Sequence, residues 1–236
     1  MSASTSVKTG PVRVGGIMTK PTFRRASVRR SSLSSGVIPL DEYRALVDEC
    51  AKHRYNFPIA NGSALHARIL ISKLLEIAEE EVVVVSGCLT DQSSAGDDVY
   101  GHEPVIRSAK RFLSNPNAHL SIVVQEGHIH GGNDNRFLRN VINDPDRQGI
   151  LTITVPKHGI LGEEIPHFMI SDQSSYRLET GPDARDKNTD KMTAVANFGD
   201  KKTAEEMRTY FDEVIDYITI DNLNYATAYG PEMRVS

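Results

Sequence analysis

Apolar residues from position 37 onward recur with the spacing of amphipathic helices, and these stretches alternate with short β-branched runs. Two helical patterns come first, and Asn61 or Ser63 can cap the second of them. Their apolar faces comprise Tyr43, Leu46, Val47 and Cys50 in the first helix and Leu65, Ile69, Leu70, Leu74 and Ile77 in the second. The run Val82–Val85 that follows is typical of a strand covered on both faces.

The alternation of helices and strands continues through the rest of the chain. Strands are predicted at 120–124, 150–155 and 192–198, a hairpin at 167–179, and helices at 105–113, 137–141 and 204–218, the last capped by Asp200. Alternating strands and helices favour a parallel or mixed sheet with helices on both sides. The predicted fold class is therefore α/β, with a mixed, largely parallel sheet flanked by helices on both faces.

Charge divides the chain into two segments. Residues 1–36 hold seven basic residues and no acid and are rich in serine and threonine, so this segment is predicted to be a flexible tail. Because the whole chain has a net charge of −4, the predicted α/β domain, residues 37–236, carries −11. The tail is a candidate nucleic-acid arm, membrane-surface tether or docking peptide for a protein partner. The alternatives are a solvated leader and a segment that orders against a sister subunit.

Composition argues against several other classes of protein. No stretch approaches the roughly 18 consecutive apolar residues of a membrane span, and no apolar core follows the N-terminal basic residues as in a secretory signal. Cys50 and Cys88 form neither a disulfide framework nor a zinc-binding pattern, and each lies in an apolar run typical of a buried, reduced thiol. These features favour a cytoplasmic protein without a metal or an organic cofactor.

One histidine-bearing stretch resembles the signature of the phospholipase D superfamily. The family motif runs His-x-Lys, then four residues, then Asp, with Gly-Ser-x-Asn further on. The corresponding stretches here are Ile165-Pro166-His167-Phe168-Met169-Ile170-Ser171-Asp172 and, downstream, Ala194-Val195-Ala196-Asn197-Phe198. The order of predicted elements over residues 61–217 is also similar to one half of such an enzyme, with a histidine-bearing strand, a hairpin, a further strand and a closing helix.

The resemblance implies a role for each residue that matches the motif. In the family a histidine attacks phosphorus, a second histidine protonates the leaving oxygen, and a lysine neutralises the phosphate oxygens. His167 matches the nucleophile and Asn197 matches the downstream amide. A chain with a single motif resembles a half-enzyme, which implies a homodimer that brings two histidines into one site.

The sequence departs from the family motif at positions where the chemistry needs charge or close backbone approach. The departures are Met169 at the lysine position, Ser174 at the aspartate position with Asp172 two residues early, and Ala194 and Val195 in place of Gly-Ser. Arg177 or Lys157 could supply the missing cation from a neighbouring strand or loop. One lost electrostatic contact can cost on the order of 10² to 10³ in rate, so catalysis of the family type is predicted to be lost or very slow.

Other polar segments follow predicted strands, where α/β sites tend to lie. His128 and His130 stand two residues apart in a glycine-containing loop, which is either a partial metal site or a polar turn. The acidic loop 89–98 suits a cation better than a bare phosphate. The charged insert 180–190 is predicted to be a solvated hairpin tip. An alternative interpretation of His167 is a histidine in the core or at its rim that has its hydrogen-bond partners within the protein and no catalytic role.

The sequence thus predicts a phospholipase D-like protein with a degenerate catalytic motif, acting as a non-catalytic binding or assembly module. The alternative is an active phosphodiesterase or nuclease that works as a homodimer through His167, with Asn197 and Arg177 as the other catalytic candidates. An unrelated α/β binding domain is the third interpretation. Nucleic acid or a protein is the candidate partner of the basic tail.

Overall fold

The computed structural model describes residues 38–87, 89, 99–125, 135–156, 165–179 and 194–220, with seven strands and five helices in this part of the chain. The helices are α1 (Leu40–His53), α2 (Ala64–Ile77), α3 (Glu103–Leu113), α4 (Arg136–Ile142) and α5 (Lys201–Ile220). The strands are β1 (Ile59–Asn61), β2 (Glu81–Ser86), β3 (His119–Val124), β4 (Ile150–Thr154), β5 (Phe168–Ser171), β6 (Ser175–Glu179) and β7 (Ala194–Asn197).

All seven strands join one mixed sheet in the spatial order β1-β7-β6-β5-β2-β3-β4. β2, β3 and β4 pair in parallel, as expected of strands that are separated along the chain by the helices α3 and α4. β5 runs antiparallel beside β2, and β6, β7 and β1 continue the sheet in antiparallel pairs. The predicted mixed α/β class is confirmed, but only two of the six strand pairings among the described residues are parallel, so the sheet is less parallel than predicted.

Helices cover both faces of the sheet, because successive side chains of a buried strand point to opposite sides. We call the first face the side on which Val82, Val84 and Met169 pack with the apolar residues of α1, α2, α3 and α4. The second face carries Val83 and Val85, which pack against α5. The four valines are at most 1% exposed, which confirms the prediction of a strand covered on both sides.

Side-chain caps mark where three of the helices begin, and at the start of α4 Asn135 Oδ1 accepts the backbone N–H of Leu138. Ser63 Oγ accepts a hydrogen bond from the backbone N–H of His66 at the start of α2. Asp200 accepts both the backbone N–H and the hydroxyl of Thr203 at the start of α5. Asn61, the other candidate cap of α2, instead ends β1, a three-residue strand that the sequence pattern did not predict.

Several predictions from the sequence fall on residues that the structure does not describe. The basic tail 1–36, the loop with His128 and His130, most of the acidic loop and the charged insert lie outside the described residues, as does Cys88. Cys50 is buried and forms no disulfide, in agreement with its apolar surroundings in the sequence. Within the described ranges, no helix has both the length and the apolar character that a membrane crossing would need.

Candidate functional site

His167 lies directly before β5 and is joined to β6 by two hydrogen bonds. The backbone N–H of Glu179 donates to the carbonyl oxygen of His167, and His167 Nδ1 lies 2.9 Å from Glu179 Oε2. The imidazole is 25% exposed and the carboxylate 15%. The parallel strands β2, β3 and β4 have their carboxyl ends at this edge of the sheet, where sites in α/β folds usually form.

Arg177 extends the pair into a chain of four buried or half-buried polar side chains. Its Nη1 lies 2.9 Å from Glu179 Oε1, and its Nε donates to Asn61 Oδ1 at 2.8 Å. Arg177 is 4% exposed and Asn61 1%, so both groups are almost entirely removed from water. Charges this deeply buried are retained only when they are paired and hydrogen-bonded, as these are.

The register of the sheet explains how Arg177 reaches Asn61. Arg177 is paired with Met169 on one side and with Ala196 on the other, so these three side chains lie in one row on the first face. Asn61 belongs to β1, one strand beyond β7. The small side chain of Ala196, together with that of Ala194 one row away, leaves room for the guanidinium to extend across β7.

The charge on Glu179 is set by its two partners. Burial acts to raise the pKa of this carboxyl, but the hydrogen bond from His167 and the charge of Arg177 outweigh it and hold the pKa at about 2. Glu179 is therefore ionised at neutral pH and can only accept hydrogen bonds, so the proton of the pair lies on His167 Nδ1. In the neutral imidazole the lone pair is then on Nε2, on the far side of the ring.

A tyrosine and a second histidine border the network on the side of α1 and α2. The rings of Tyr43 and His66 stack with their centroids 3.8 Å apart, and the Tyr43 hydroxyl donates to the carbonyl oxygen of Ala60. Burial raises the pKa of Tyr43, and the nearby charge of Arg177 offsets this only in part. Burial also lowers the pKa of His66. Both rings are therefore neutral packing partners for the strand that carries Asn61.

Asn197, the predicted counterpart of the family amide, is not brought to His167. Asn197 is paired with Tyr176, which belongs to the core of the second face. Tyr176 lies three residues before Glu179 on β6, which is roughly 10 Å along the strand. Asn197 Nδ2 donates to Asn56 Oδ1, and its Oδ1 accepts from the backbone N–H of Gly199. These contacts hold a turn at the opposite end of the sheet, and Asn61 is the amide that reaches the His167 network.

Met169 and Asp172, at two of the places where the sequence departs from the family motif, both have structural roles. Met169 is 1% exposed and packs in the core of the first face, so it contributes no charge to the edge where His167 lies. Asp172 lies in the turn of the β5–β6 hairpin, and its backbone adopts the left-handed conformation, with φ of 49°. Its carboxylate accepts the backbone N–H groups of Glu79, Glu80 and Glu81 at 3.1 to 3.3 Å, so it fastens the hairpin to the start of β2.

Replacing Asp172 by alanine is expected to lower the free energy of unfolding by about 2 kcal/mol. Three backbone N–H groups would lose their shared acceptor, and alanine tolerates a positive φ less well than aspartate. Ser174→Ala, at the position of the family aspartate, is expected to change it by less than about 0.5 kcal/mol. Urea denaturation followed by circular dichroism measures both variants. Equal losses in the two would contradict the role given to Asp172.

Glu179 and Asn61 are the two members of the network that the sequence reasoning missed. A signal for Glu179 was present, because Arg177 and Glu179 are opposite charges two residues apart in a predicted strand and so point to the same face. Asn61 gave no such signal, because its contact depends on a short strand paired with a distant one. Among the described residues there is no group of three or more His, Cys, Asp or Glu placed to hold a metal ion.

Three solved structures have folds similar to that of this chain. TrmBL2, an archaeal chromatin protein, is 11% identical over 75% of this chain and 59% of its own, with a TM-score of 0.44. Nuc, a phospholipase D family member from Salmonella typhimurium, is 16% identical over 66% of this chain and 93% of its own, with a TM-score of 0.42. NucT from Helicobacter pylori is 13% identical over 68% of this chain and 96% of its own, with a TM-score of 0.43.

These likenesses concern the fold alone. The chain spans somewhat more than half the length of TrmBL2. No protein-family model matches the sequence, and no curated protein is significantly similar to it. The resemblance implied a histidine-bearing strand, a hairpin, a further strand and a closing helix. The structure has these elements in this order, except that His167 lies one residue before the strand β5.

Proposed function

We propose that the chain is a phospholipase D-like binding module that holds a phosphodiester at His167 without turning it over by the family mechanism. The position of Arg177 carries this proposal. The arginine lies directly across from Met169, where the family has its lysine, but it is buried and paired with Glu179 and Asn61. A cation that is already enclosed and neutralised gives little stabilisation to charge that develops on a phosphate.

In this proposal His167 is the member of the network that touches the ligand. Its Nδ1 is taken by Glu179, and within the part of the chain that the structure describes Nε2 forms no hydrogen bond. In its doubly protonated form the imidazole would donate from Nε2 to a phosphate oxygen while Glu179 balances its charge. The buried Arg177 and Asn61 then serve as the support that holds Glu179, and through it the imidazole, in place.

A small phosphodiester tests binding and turnover separately. A fluorescently labelled dinucleotide is expected to bind the full chain, and His167→Ala is expected to weaken its affinity about tenfold, as for the loss of one charge-assisted hydrogen bond. His53→Ala is the matched control, because His53 also pairs with a carboxylate, Glu49, but on the exposed surface of α1. Fluorescence anisotropy at fixed ionic strength measures affinity. Failure of the wild type to bind, or equal affinity in wild type and His167→Ala, would overturn the proposal.

An active phosphodiesterase is the second candidate, and the bond between His167 Nδ1 and Glu179 favours it. A carboxylate on Nδ1 orients the ring and leaves Nε2 as a nucleophile or general base. Hydrolysis of bis(4-nitrophenyl) phosphate decides between the candidates. Turnover by the wild type that disappears in His167→Ala and persists in His53→Ala would establish the enzyme. The binding module predicts no difference in turnover among the three proteins.

The homodimer and the partner of the basic tail also belong to this proposal. The half-enzyme resemblance favours a dimer with two His167 residues in one site, and the seven positive charges of residues 1–36 suit nucleic acid or an acidic protein. Sedimentation equilibrium measures the molecular mass in solution and so tests whether the chain forms a dimer. Affinity for nucleic acid that falls steeply with salt and disappears when residues 1–36 are deleted would support the tail as a nucleic-acid arm.

A further inference from the structure

A groove of about 360 Å³ lies between α1, α2 and α3, and no member of the His167 network lines it. Leu40, Leu65 and Ile69 contribute its apolar lining. Leu65 is 50% exposed and Leu40 36%, and Ile38, two residues before Leu40, is 43% exposed. Half-exposed aliphatic side chains gathered at one concave place are typical of a surface that binds a partner.

The rim of this groove is positively charged although the chain as a whole is acidic. Five cationic side chains and two carboxylates line it. The two carboxylates, Asp48 and Glu76, both pair with Lys73, at 2.7 and 2.6 Å. Glu76 also lies 3.8 Å from Arg111. Among the other arginines of the lining, Arg44 on α1 and Arg107 on α3 are exposed. The groove therefore combines an apolar lining with an excess of basic side chains.

We infer that this groove docks an acidic amphipathic helix of a partner protein. A helix of that kind presents leucine-like residues along one stripe and carboxylates beside them, which complements both the apolar lining and the exposed arginines of the groove. Laying such a stripe into an apolar groove is a common mode of peptide recognition. The chain's own tail, residues 1–36, is an unsuitable occupant, because its seven positive charges would face the arginines.

A designed peptide provides the probe. It is a fluorescently labelled helix of about 20 residues with leucine at positions i, i+3, i+4 and i+7 and glutamate on the flanking positions. Binding to the full-length protein is measured by anisotropy. The double variant Arg44→Glu/Arg107→Glu is expected to lose at least about tenfold in affinity. The matched control is Arg139→Glu/Lys202→Glu, which makes the same change of net charge at exposed residues of α4 and α5.

Each outcome bears on the inference. The inference is supported if binding of the peptide is saturable and weakens with salt, and if it is lost in the Arg44→Glu/Arg107→Glu variant but persists in the control variant. The inference is overturned if the peptide does not saturate below roughly 1 mM, the weak end of specific affinities. Equal losses in both double variants also overturn it, as does equal binding of a peptide with lysine in place of glutamate. A single-stranded oligonucleotide and anionic phosphatidylserine vesicles are tested in the same way. If either binds more tightly than the peptide and depends equally on Arg44 and Arg107, the groove is assigned to that ligand instead.

Discussion

Replacing Arg177 by methionine is expected to lower the free energy of unfolding by about 3 to 5 kcal/mol, the cost of leaving one partner of a buried ion pair uncompensated. Methionine keeps much of the side-chain volume but removes the guanidinium that contacts Glu179 Oε1 and Asn61 Oδ1. Glu179, 15% exposed, would keep His167 as its remaining side-chain partner among the described residues. Equilibrium denaturation in urea at pH 7 measures the loss.

Two further variants separate the ion pair from a general effect of removing an arginine. Arg177→Lys keeps the charge, but one ammonium group on a shorter reach cannot serve Glu179 and Asn61 together, so an intermediate loss is expected. Arg139→Met removes an exposed arginine of α4 and is expected to change stability by less than about 0.5 kcal/mol. If Arg177→Met and Arg139→Met are equally stable, the buried network contributes nothing to folding.

The elements of the core could be predicted because their patterns are local and strong. Val82–Val85 is a run typical of a strand buried on both sides, and in the structure it forms most of β2, an interior strand between β5 and β3. The apolar face of the last helix, including Ala204, Met207 and Val214, packs as its spacing indicated. In such segments the periodicity of a few neighbouring residues determines the element, and tertiary contacts reinforce it.

The antiparallel half of the sheet was less accessible to prediction, because it depends on pairings between distant parts of the chain. β1 has three residues, too few for an alternation to stand out from a loop, and it pairs with β7 more than 130 residues later. Without β1 the position of Asn61 cannot be anticipated. The assignment of Asn197 to the site followed the family spacing, and the register of β7 places it with Tyr176 on the second face instead.

The candidate site itself was half predictable. His167 and Arg177 were chosen from the sequence, the first for its place in the motif and the second as a substitute cation. Their connection through Glu179 becomes visible only when β5 and β6 are paired in register. This connection also changes the interpretation of Arg177, since an arginine that holds Glu179 in place supports the imidazole more than it could serve a phosphate.

The Glu179 carboxylate also makes the free energy of unfolding depend on pH in the acidic range. The pKa of Glu179 is about 2 in the folded protein against an ordinary value of 4.5, so the unfolded chain takes up a proton at a higher pH than the folded chain does. Glu179 therefore contributes its full stabilisation above about pH 4.5, and this contribution is lost as the pH falls towards 2. At 1.36 kcal/mol for each pKa unit, the loss is about 3 kcal/mol.

Glu179→Gln isolates this contribution from that of the other carboxyl groups. The variant is expected to be less stable than the wild type at pH 7, because Arg177 is then buried without a counter-charge. Between pH 4.5 and 2.5 its free energy of unfolding is expected to fall less steeply, so that the two curves converge in acid. Urea denaturation at several pH values gives both curves, and Glu103→Gln, an exposed glutamate of α3, is the control. Parallel curves for wild type and Glu179→Gln would mean that the pKa of Glu179 is hardly lowered by folding, and that His167 and Arg177 do not stabilise its charge.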